Sequence, residues 1–423
     1  MQKLAKKIVV SILGWQVRRL YKKNNFKVVA VAGSLGKTST KLAIAQVLGA
    51  KYKVRHQGGN YNDIVTVPLI FFGHSTPSLF NPFSWMGIFW SNETQLHKKY
   101  PYEVVIVEVG TDGPGQIVEY AKFLKADIGV LTAVAPEHME FFDDLDAVAK
   151  EELQIANLSE KIIVNTDFVE PKYLKTIKNP TTTYAMKTTA NISLENVKFA
   201  VFSANFDVLE NNKLLLSAQH EAVAEPRLYA VAGAVAVARE LGMEPGEIKT
   251  GLDGLKPTAG RMQKLGGINN STIIDDTYNA SPPAMKAALD TLYRLDAPQK
   301  IAILGNMNEL GSYSKAAHEE IGNYCDPKKL DLVITLGPDA NKYLAPAAEA
   351  KGCKVQQFEN PYLVGDYLKL IIKNRALILA KGSQNRVFAE EAVKLLLANP
   401  ADAKKLVRQS DSWLKIKAKA FKT

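Results

Sequence analysis

Two adjacent residues, Lys37 and Thr38, have the types and the setting to hold a chain of phosphates. They belong to the run VAVAGSLGKTST, residues 29–40. Apolar Val28 to Val31 precede the glycines, and an Ala/Leu-rich helical pattern from Lys41 to Leu48 follows, so the context is strand, glycine turn, helix. There the N–H groups of successive residues converge at a helix N-terminus, where the peptide dipoles favour negative charge. Gly33, Ser34, Leu35, Gly36, Lys37, Thr38 and Ser39 are therefore candidate nucleotide-binding residues. Lys37 is expected at an exposed tip, reaching the β- and γ-phosphates of ATP, with the Thr38 hydroxyl on Mg²⁺. Only the G-x-x-G-K-T core of the common pattern is present, since Val31 stands where its first glycine belongs.

Two further residues extend this chemistry. Glu108 ends the apolar run VVIVEVG, and a carboxylate there can hold Mg²⁺ directly or through water. His138, in TAVAPEHMEFF, follows the next strand candidate and can reach a second metal or a phosphate. Thr38, Glu108 and His138 form the candidate metal set.

The elements that must position these groups are legible as apolar runs alternating with helical patterns. Strand candidates are Lys27 to Ala32, Glu103 to Val109, Ile128 to Val134 and Lys161 to Asn165. A second series is Thr272 to Asp275, Lys300 to Leu304, Leu332 to Leu336 and Ala376 to Ala380. Such alternation predicts parallel α/β sheets, whose ligands bind outside the carboxyl ends of the strands. Between the series, FAVFSANFDVLENNKLLLSAQ predicts a hairpin turning at Glu210 to Asn212. A helix around Leu228 to Leu241 and the segment GLDGLKPTAGR then mark a boundary. The expected division is an N-terminal helix over 1–26, an ATP-binding domain over 27–258 and a second α/β domain over 259–423.

A length of 423 residues exceeds one ordinary core, and 47% hydrophobic with 23% charged residues is a soluble globular composition. Cys325 and Cys353 alone suggest neither a disulfide framework nor a zinc site, which favours a reducing compartment. The net charge of +10 lies largely at the ends. Lys3, Lys6, Lys7, Arg18, Arg19, Lys22 and Lys23 flank the apolar run Ile8 to Trp15, and Lys415, Lys417, Lys419 and Lys422 close the chain. The N-terminal run is too short to span a bilayer and reads as a basic amphipathic helix, either resting on a membrane or docked on the protein. An insertion at about 71–102 carries Phe80, Phe83, Trp85, Phe89 and Trp90, with the same two readings.

In order and spacing, eight segments resemble the Mur ligase family: GSLGKTST, GGNYNDIVTVPL, VEVGTDGPGQI, TAVAPEHMEFF, TAGRMQ, IIDDTYNASPPAM, LGNMNELG and AKGSQNR. IDDTYNASP and GNMNELG point to its D-alanyl-D-alanine-adding branch over its sister ligases and over a folylpolyglutamate-type enzyme. The resemblance implies an α/β fold, with a P-loop NTPase-like central domain on a mostly parallel sheet and a smaller Rossmann-like C-terminal domain. It implies ATP-dependent amide synthesis through an acyl phosphate in cell-wall construction, with ATP and Mg²⁺ as cofactors. A muramoyl-peptide carboxylate and a D-Ala-D-Ala-like amine are the implied substrates; no nucleic-acid partner is expected. The implied place is the cytoplasm, with peripheral contact at the inner face of the membrane as the further expectation. Lys37, Glu108, His138, Glu152 and Arg261 are the implied catalytic residues. Arg261 would meet the γ-phosphate on domain closure, and Asp276 and Asn279 would contact the nucleotide. Asn60, Asn62, Glu309 and Lys381 would face substrate.

Three departures from the family pattern stand out. Position 152 is glutamate where the family has a carbamoylated lysine, so Glu152 is expected to supply the carboxylate. Pro226 and Tyr229 stand where an adenine-binding motif has asparagines. Only 26 residues precede the first strand, where the family has a domain that grips a UDP-linked sugar, so that grip is expected from elsewhere or not at all. The alternative function is a non-catalytic or differently specific nucleotide-binding protein on the same scaffold, associated with the membrane.

Overall fold

The computed structural model of the chain describes residues 2–58, 61–79, 81–137, 139–200, 202–221 and 225–421. His138, Asn60, Phe80 and Lys422 lie outside the described residues.

The first strand series builds one nine-stranded sheet. Its strands are β1 (Lys27–Ala32), β2 (Val54–Arg55), β3 (Val104–Glu108), β4 (Ala126–Leu131), β5 (Ser159–Asn165), β6 (Thr181–Ala185), β7 (Ile192–Phe199), β8 (Ala204–Glu210) and β9 (Lys213–His220). They lie in the order β2-β3-β1-β4-β5-β6-β7-β8-β9. Pairing is parallel from β2 through β7 and antiparallel from β7 through β9. The predicted hairpin is thus part of a three-strand meander that includes β7. The sequence reading missed β6, TTTYA, because three successive threonines carry no apolar run.

The second series builds a six-stranded sheet from β10 (Gln263–Gly266), β11 (Thr272–Asp276), β12 (Lys300–Gly305), β13 (Leu332–Leu336), β14 (Val355–Phe358) and β15 (Leu377–Lys381). Its order is β10-β11-β15-β12-β13-β14, with only β10 antiparallel. Central strands such as β1, β3, β12 and β15 are buried along most of their length, because helices cover both faces.

Four helices near the N-terminus matter for the site: α1 (Gln2–Lys23), α2 (Lys37–Leu48), α3 (Thr66–Phe72) and α4 (Pro82–Leu96). The two readings of α1 are settled in favour of docking for one of its faces. Leu13, Val17 and Leu20 are fully buried, and the buried Gln16 is held by Asn92 Nδ2 at 2.7 Å and by the Phe89 carbonyl at 3.0 Å. Arg19 pairs with Glu93 of α4 at 2.6 Å. In α4, Asn81 caps the N-terminus by accepting from Ser84 N, and Trp85, Asn92 and Leu96 turn inward. Phe83, Met86 and Trp90 turn outward at 81%, 64% and 78% exposure. Among the described residues no helix is long and apolar enough to cross a membrane.

Candidate active site

The loop after β1 has the conformation its glycines allow. Gly33 takes φ +123°, and a Cβ there would stand 2.4 Å from Thr132 Oγ1 and 2.8 Å from the Ala133 nitrogen, so no other residue fits. Thr132 Oγ1 donates to the Leu35 carbonyl at 2.6 Å, and Ser34 N to the Ala133 carbonyl at 2.9 Å, which fastens the loop to the end of β4. Gly36, at φ +79°, leads into α2 with no side chain capping the helix. The first N–H groups of α2 therefore face the loop's concavity, as an anion site requires. The helix begins at Lys37, four residues earlier than the sequence pattern suggested.

Lys37 is not the exposed tip that was expected. Its side chain is only 12% exposed, because Glu137 stands 3.1 Å from Nζ. Burial depresses its pKa most, but Glu137, Glu152 and Glu108 together outweigh burial and the pKa is raised, so the lysine is a firm cation. Glu137, one residue before the predicted His138, had been passed over.

Sheet register sets the next contact. Val31 pairs with Glu108 across β1 and β3, which brings the strand-end carboxylate beside the loop. Glu108 Oε1 accepts from Thr38 Oγ1 at 3.1 Å. Its Oε2 lies 3.0 Å from Nζ of the fully buried Lys41, yet is a buried oxygen without a hydrogen-bond partner, so that contact is Coulombic only. Lys41 was read only as the start of the helical pattern; its signal was its place three residues after Thr38, on the same helix face. A hydroxyl and a carboxylate with an unsatisfied buried oxygen fit Mg²⁺, a hard cation held through one or two carboxylates plus substrate phosphates. Among the described residues no group of three or more His, Cys, Asp and Glu side chains is arranged to hold a metal.

Helix α5 (Leu145–Glu152) aims two neighbouring glutamates at the loops. Glu152 Oε2 accepts from Gly33 N at 2.7 Å. Glu151 accepts from Gly115 N and Ile117 N, both at 2.6 Å, in the loop after β3. Burial pushes the Glu152 carboxyl up, Lys37 draws it back and Glu137 adds to the rise, leaving its pKa at about 7. Glu152 thus reaches the phosphate loop directly, and nothing in the sequence marked Glu151 as its companion.

The second sheet supplies the opposite wall. Arg261 Nη2 is 3.4 Å from Thr38 Oγ1, its guanidinium lies 4.1 Å over the Tyr278 ring, and its buried Nε has no acceptor. In this structure Arg261 already stands at the loop, the arrangement expected of the closed domains. Asp276 and Lys381 face each other in register at the ends of β11 and β15 and form a 2.5 Å ion pair, while Met262 N donates to Asp276 at 3.1 Å. Lys381 also donates to the Asn279 carbonyl at 3.0 Å. Asp276 and Lys381 spend their charges largely on one another. Asn62, Asn279 and Glu309 line the same cavity as Lys37 and Arg261, a space of about 610 Å³ between the sheets.

At the position of the expected adenine motif, Pro226 sits in the first turn of helix Glu225–Glu240, where proline costs no hydrogen bond. Tyr229 donates to Asp167 Oδ2 at 2.9 Å and packs edge-on against Phe168, 4.9 Å between centroids. Phe168 lines the cavity, a role that sequence reasoning missed.

With this geometry in view, comparison with known proteins is decisive. Residues 90–238 match the Mur ligase middle domain, and residues 260–384 match the Mur ligase glutamate ligase domain. The chain belongs to the Mur ligase family. It is 28% identical over 381 residues to UDP-N-acetylmuramoyl-tripeptide--D-alanyl-D-alanine ligase of Bacillus subtilis (strain 168), covering 88% of this chain and 76% of that one. Among solved Mur ligases, MurF of Acinetobacter baumannii superposes with a TM-score of 0.75 at 21% identity, covering 90% of this chain and 79% of that one. MurF ligase of Thermotoga maritima, solved in complex with ADP, gives 0.72 at 25%, covering 91% and 83%. The mixed α/β architecture expected from the sequence is the Mur ligase architecture.

Proposed function

We propose that the chain is an ATP-dependent ligase that joins D-alanyl-D-alanine to a UDP-N-acetylmuramoyl-tripeptide in the cytoplasm, the activity named for its B. subtilis relative. The observation that carries this reading is the single cavity in which Lys37, Thr38 and Glu108 face Arg261 from the other sheet. We set the division between ATP-binding and C-terminal domains at 258/259, just before Arg261.

ATP is placed with its phosphates on the N-terminus of α2. Lys37 and Arg261 neutralise charge on the γ-phosphoryl group from two sides, and the free Arg261 Nε is a donor awaiting an anion. Phe168 offers the base an aromatic wall. The tripeptide carboxylate attacks the γ-phosphorus and ADP leaves; the amine of D-Ala-D-Ala then attacks the acyl carbon, and phosphate departs after a proton is lost from nitrogen. Thr38 and Glu108 would hold Mg²⁺, which supplies charge neutralisation on the phosphates. The chain's own task is positioning of three charged reactants, which needs no protein nucleophile. Phosphate release from ATP that requires both UDP-N-acetylmuramoyl-tripeptide and D-Ala-D-Ala tests the proposal. ATP binding without turnover on that pair would favour the non-catalytic alternative.

A second reading, peripheral contact with anionic membrane, is supported by the outward faces of α1 and α4. Ile8 and Trp15 on α1 are 53% and 49% exposed, Phe83, Met86 and Trp90 on α4 are exposed as well, and α1 also carries exposed cations such as Lys22. Each such cation near an anionic surface is worth about 1 kcal/mol, and the apolar face adds insertion. Co-sedimentation with phosphatidylserine vesicles tests it: pelleting is expected to fall with salt and with Phe83→Glu/Trp90→Glu. Equal pelleting of that variant would reject contact through this face.

A further inference from the structure

We infer that the groove between α1 and the 3-10 turn Ile117–Lys122 is a subsite for the diphosphate of a sugar-diphosphate substrate, an inference that rests on the muramoyl-peptide reading above. The groove encloses about 880 Å³, within the roughly 300–1,000 Å³ usual for small-ligand sites.

Its shape follows from how α1 is fastened. Gly14 lets the helix close on the turn, since a Cβ there would already stand 3.3 Å from Phe123 Cβ. Past it, Arg18 donates to the Lys122 carbonyl, and Tyr21 OH donates to the Lys125 carbonyl at 3.1 Å. The first half of α1 packs the other way, through Val9 and Leu13 onto Val65, Leu69 and Trp85. A trough is left with Val10, Ile64 and Tyr120 among its walls.

Charge favours an anion there. Lys6, Lys7, Arg18 and Lys122 line the groove together with three carboxylates. Glu119 pairs with Lys122 at 3.1 Å, and Asp63 caps α3 through the N–H groups of Val65 and Thr66. Asp112 stands where the groove meets the catalytic cavity. Lys6, Lys7 and Arg18 make no ion pair among the described residues, which leaves three cations for a ligand.

The groove adjoins the catalytic cavity, since Asp63 and Asp112 line both. A tripeptide with its carboxylate at Lys37 extends about 10 Å at roughly 3.3 Å per residue. Residues 6 to 18 of α1 run about 18 Å at roughly 1.5 Å per residue. With the peptide directed past Asp63 and Asp112, the proposal lays the sugar diphosphate at its other end along α1. A nucleotide and a lipid carrier present the same diphosphate.

The test compares steady-state kinetics of the full chain with those of Lys7→Glu and Arg18→Glu. Substrates are UDP-N-acetylmuramoyl-tripeptide and the N-acetylmuramoyl-tripeptide that lacks the diphosphate. Each variant should raise KM for the first at least tenfold more than for the second, and UDP should compete with the peptide substrate in the wild type more strongly than in the variants. Lys7 is exposed and makes no hydrogen bond or ion pair among the described residues, so it keeps the test valid if Arg18→Glu misfolds. Repeating the comparison with the muramoyl-tripeptide diphosphate on a polyprenyl chain in phosphatidylcholine vesicles separates the sources: the larger variant effect identifies the carrier. Equal variant effects with and without the diphosphate overturn the subsite. If the wild type turns over neither substrate, the ligase reading fails instead, and calorimetric titration of UDP decides the groove: binding weakened by Lys7→Glu supports it, and no binding overturns it.

Discussion

Arg408 and Glu390 form a buried ion pair, 2.7 Å between Nη2 and Oε2, and the same guanidinium donates to the carbonyls of Thr277 and Tyr278 at 2.6 and 3.1 Å. Tyr278 carries the ring under Arg261. Lys417, fully buried in helix Asp411–Ala420, completes the network with Glu390 at 2.8 Å and Glu391 at 2.6 Å. The last helix of the chain is therefore coupled to the residue that meets the phosphate loop.

Arg408→Ala removes one partner of a buried pair, which typically costs about 3–5 kcal/mol, and frees the turn beneath Arg261. The expected outcome is a lower urea midpoint together with a rise of about tenfold in KM for ATP. Arg408→Lys should fall between, since an ammonium cannot fork to carboxylate and carbonyls at once. A lost midpoint with KM for ATP unchanged would reduce Arg408 to a purely structural role.

Lys37→Ala should lower kcat by about 10²–10³-fold, the usual loss for one charge-stabilising donor. Because Lys37 is buried between Glu137 and Glu152, some stability should go as well. That loss should shrink as pH falls, when the carboxyls left behind protonate. Thermal melts at pH 5.5 and 8 beside phosphate release check both parts.

Glu152 gives a signed pH dependence. Its folded pKa of about 7 lies above the ordinary 4.5. The folded state thus binds more protons than the unfolded one between those values, and this group makes stability fall as pH rises through that window. Glu152→Gln keeps an acceptor for Gly33 N and removes the slope. It should gain up to about 3 kcal/mol relative to wild type between pH 4.5 and 8, at about 1.4 kcal/mol per unit. A parallel pair of stability curves would rule this out. Added bicarbonate should leave the wild-type rate unchanged, because position 152 has no amine to carbamoylate.

Leu13→Ala should cost about 3–5 kcal/mol if α1 belongs to the core as its full burial indicates. Glu93→Ala, breaking a half-exposed pair with Arg19, should cost about 1 kcal/mol or less. Chemical denaturation of both variants distinguishes a structural helix from an appended one, in which case the two would differ little.

The central strands of both sheets, the glycine turn before α2 and the strand-end place of Glu108 were legible in the sequence because their signals are local. An apolar run ends in a glycine turn or a carboxylate, and the strand period carries that residue to the sheet edge. Gly33 and Gly36 announce positive φ within four residues of each other. Ion pairs have no such local mark. Nothing in a chain with 53 Lys and Arg and 43 Asp and Glu tells which cation meets which carboxylate. Lys37–Glu137, Lys41–Glu108 and Lys381–Asp276 join residues far apart in sequence, and each was decided by strand order and register. The same holds for α1: its pattern fits a helix on a membrane or on a protein, and only the shape of α3 and α4 beside it determined which residues went inward. Glu152 shows the division most plainly. Its carboxylate was written in the sequence, while its raised pKa, its bond to Gly33 and its nearness to Lys37 arise from burial among groups that only the folded chain brings together.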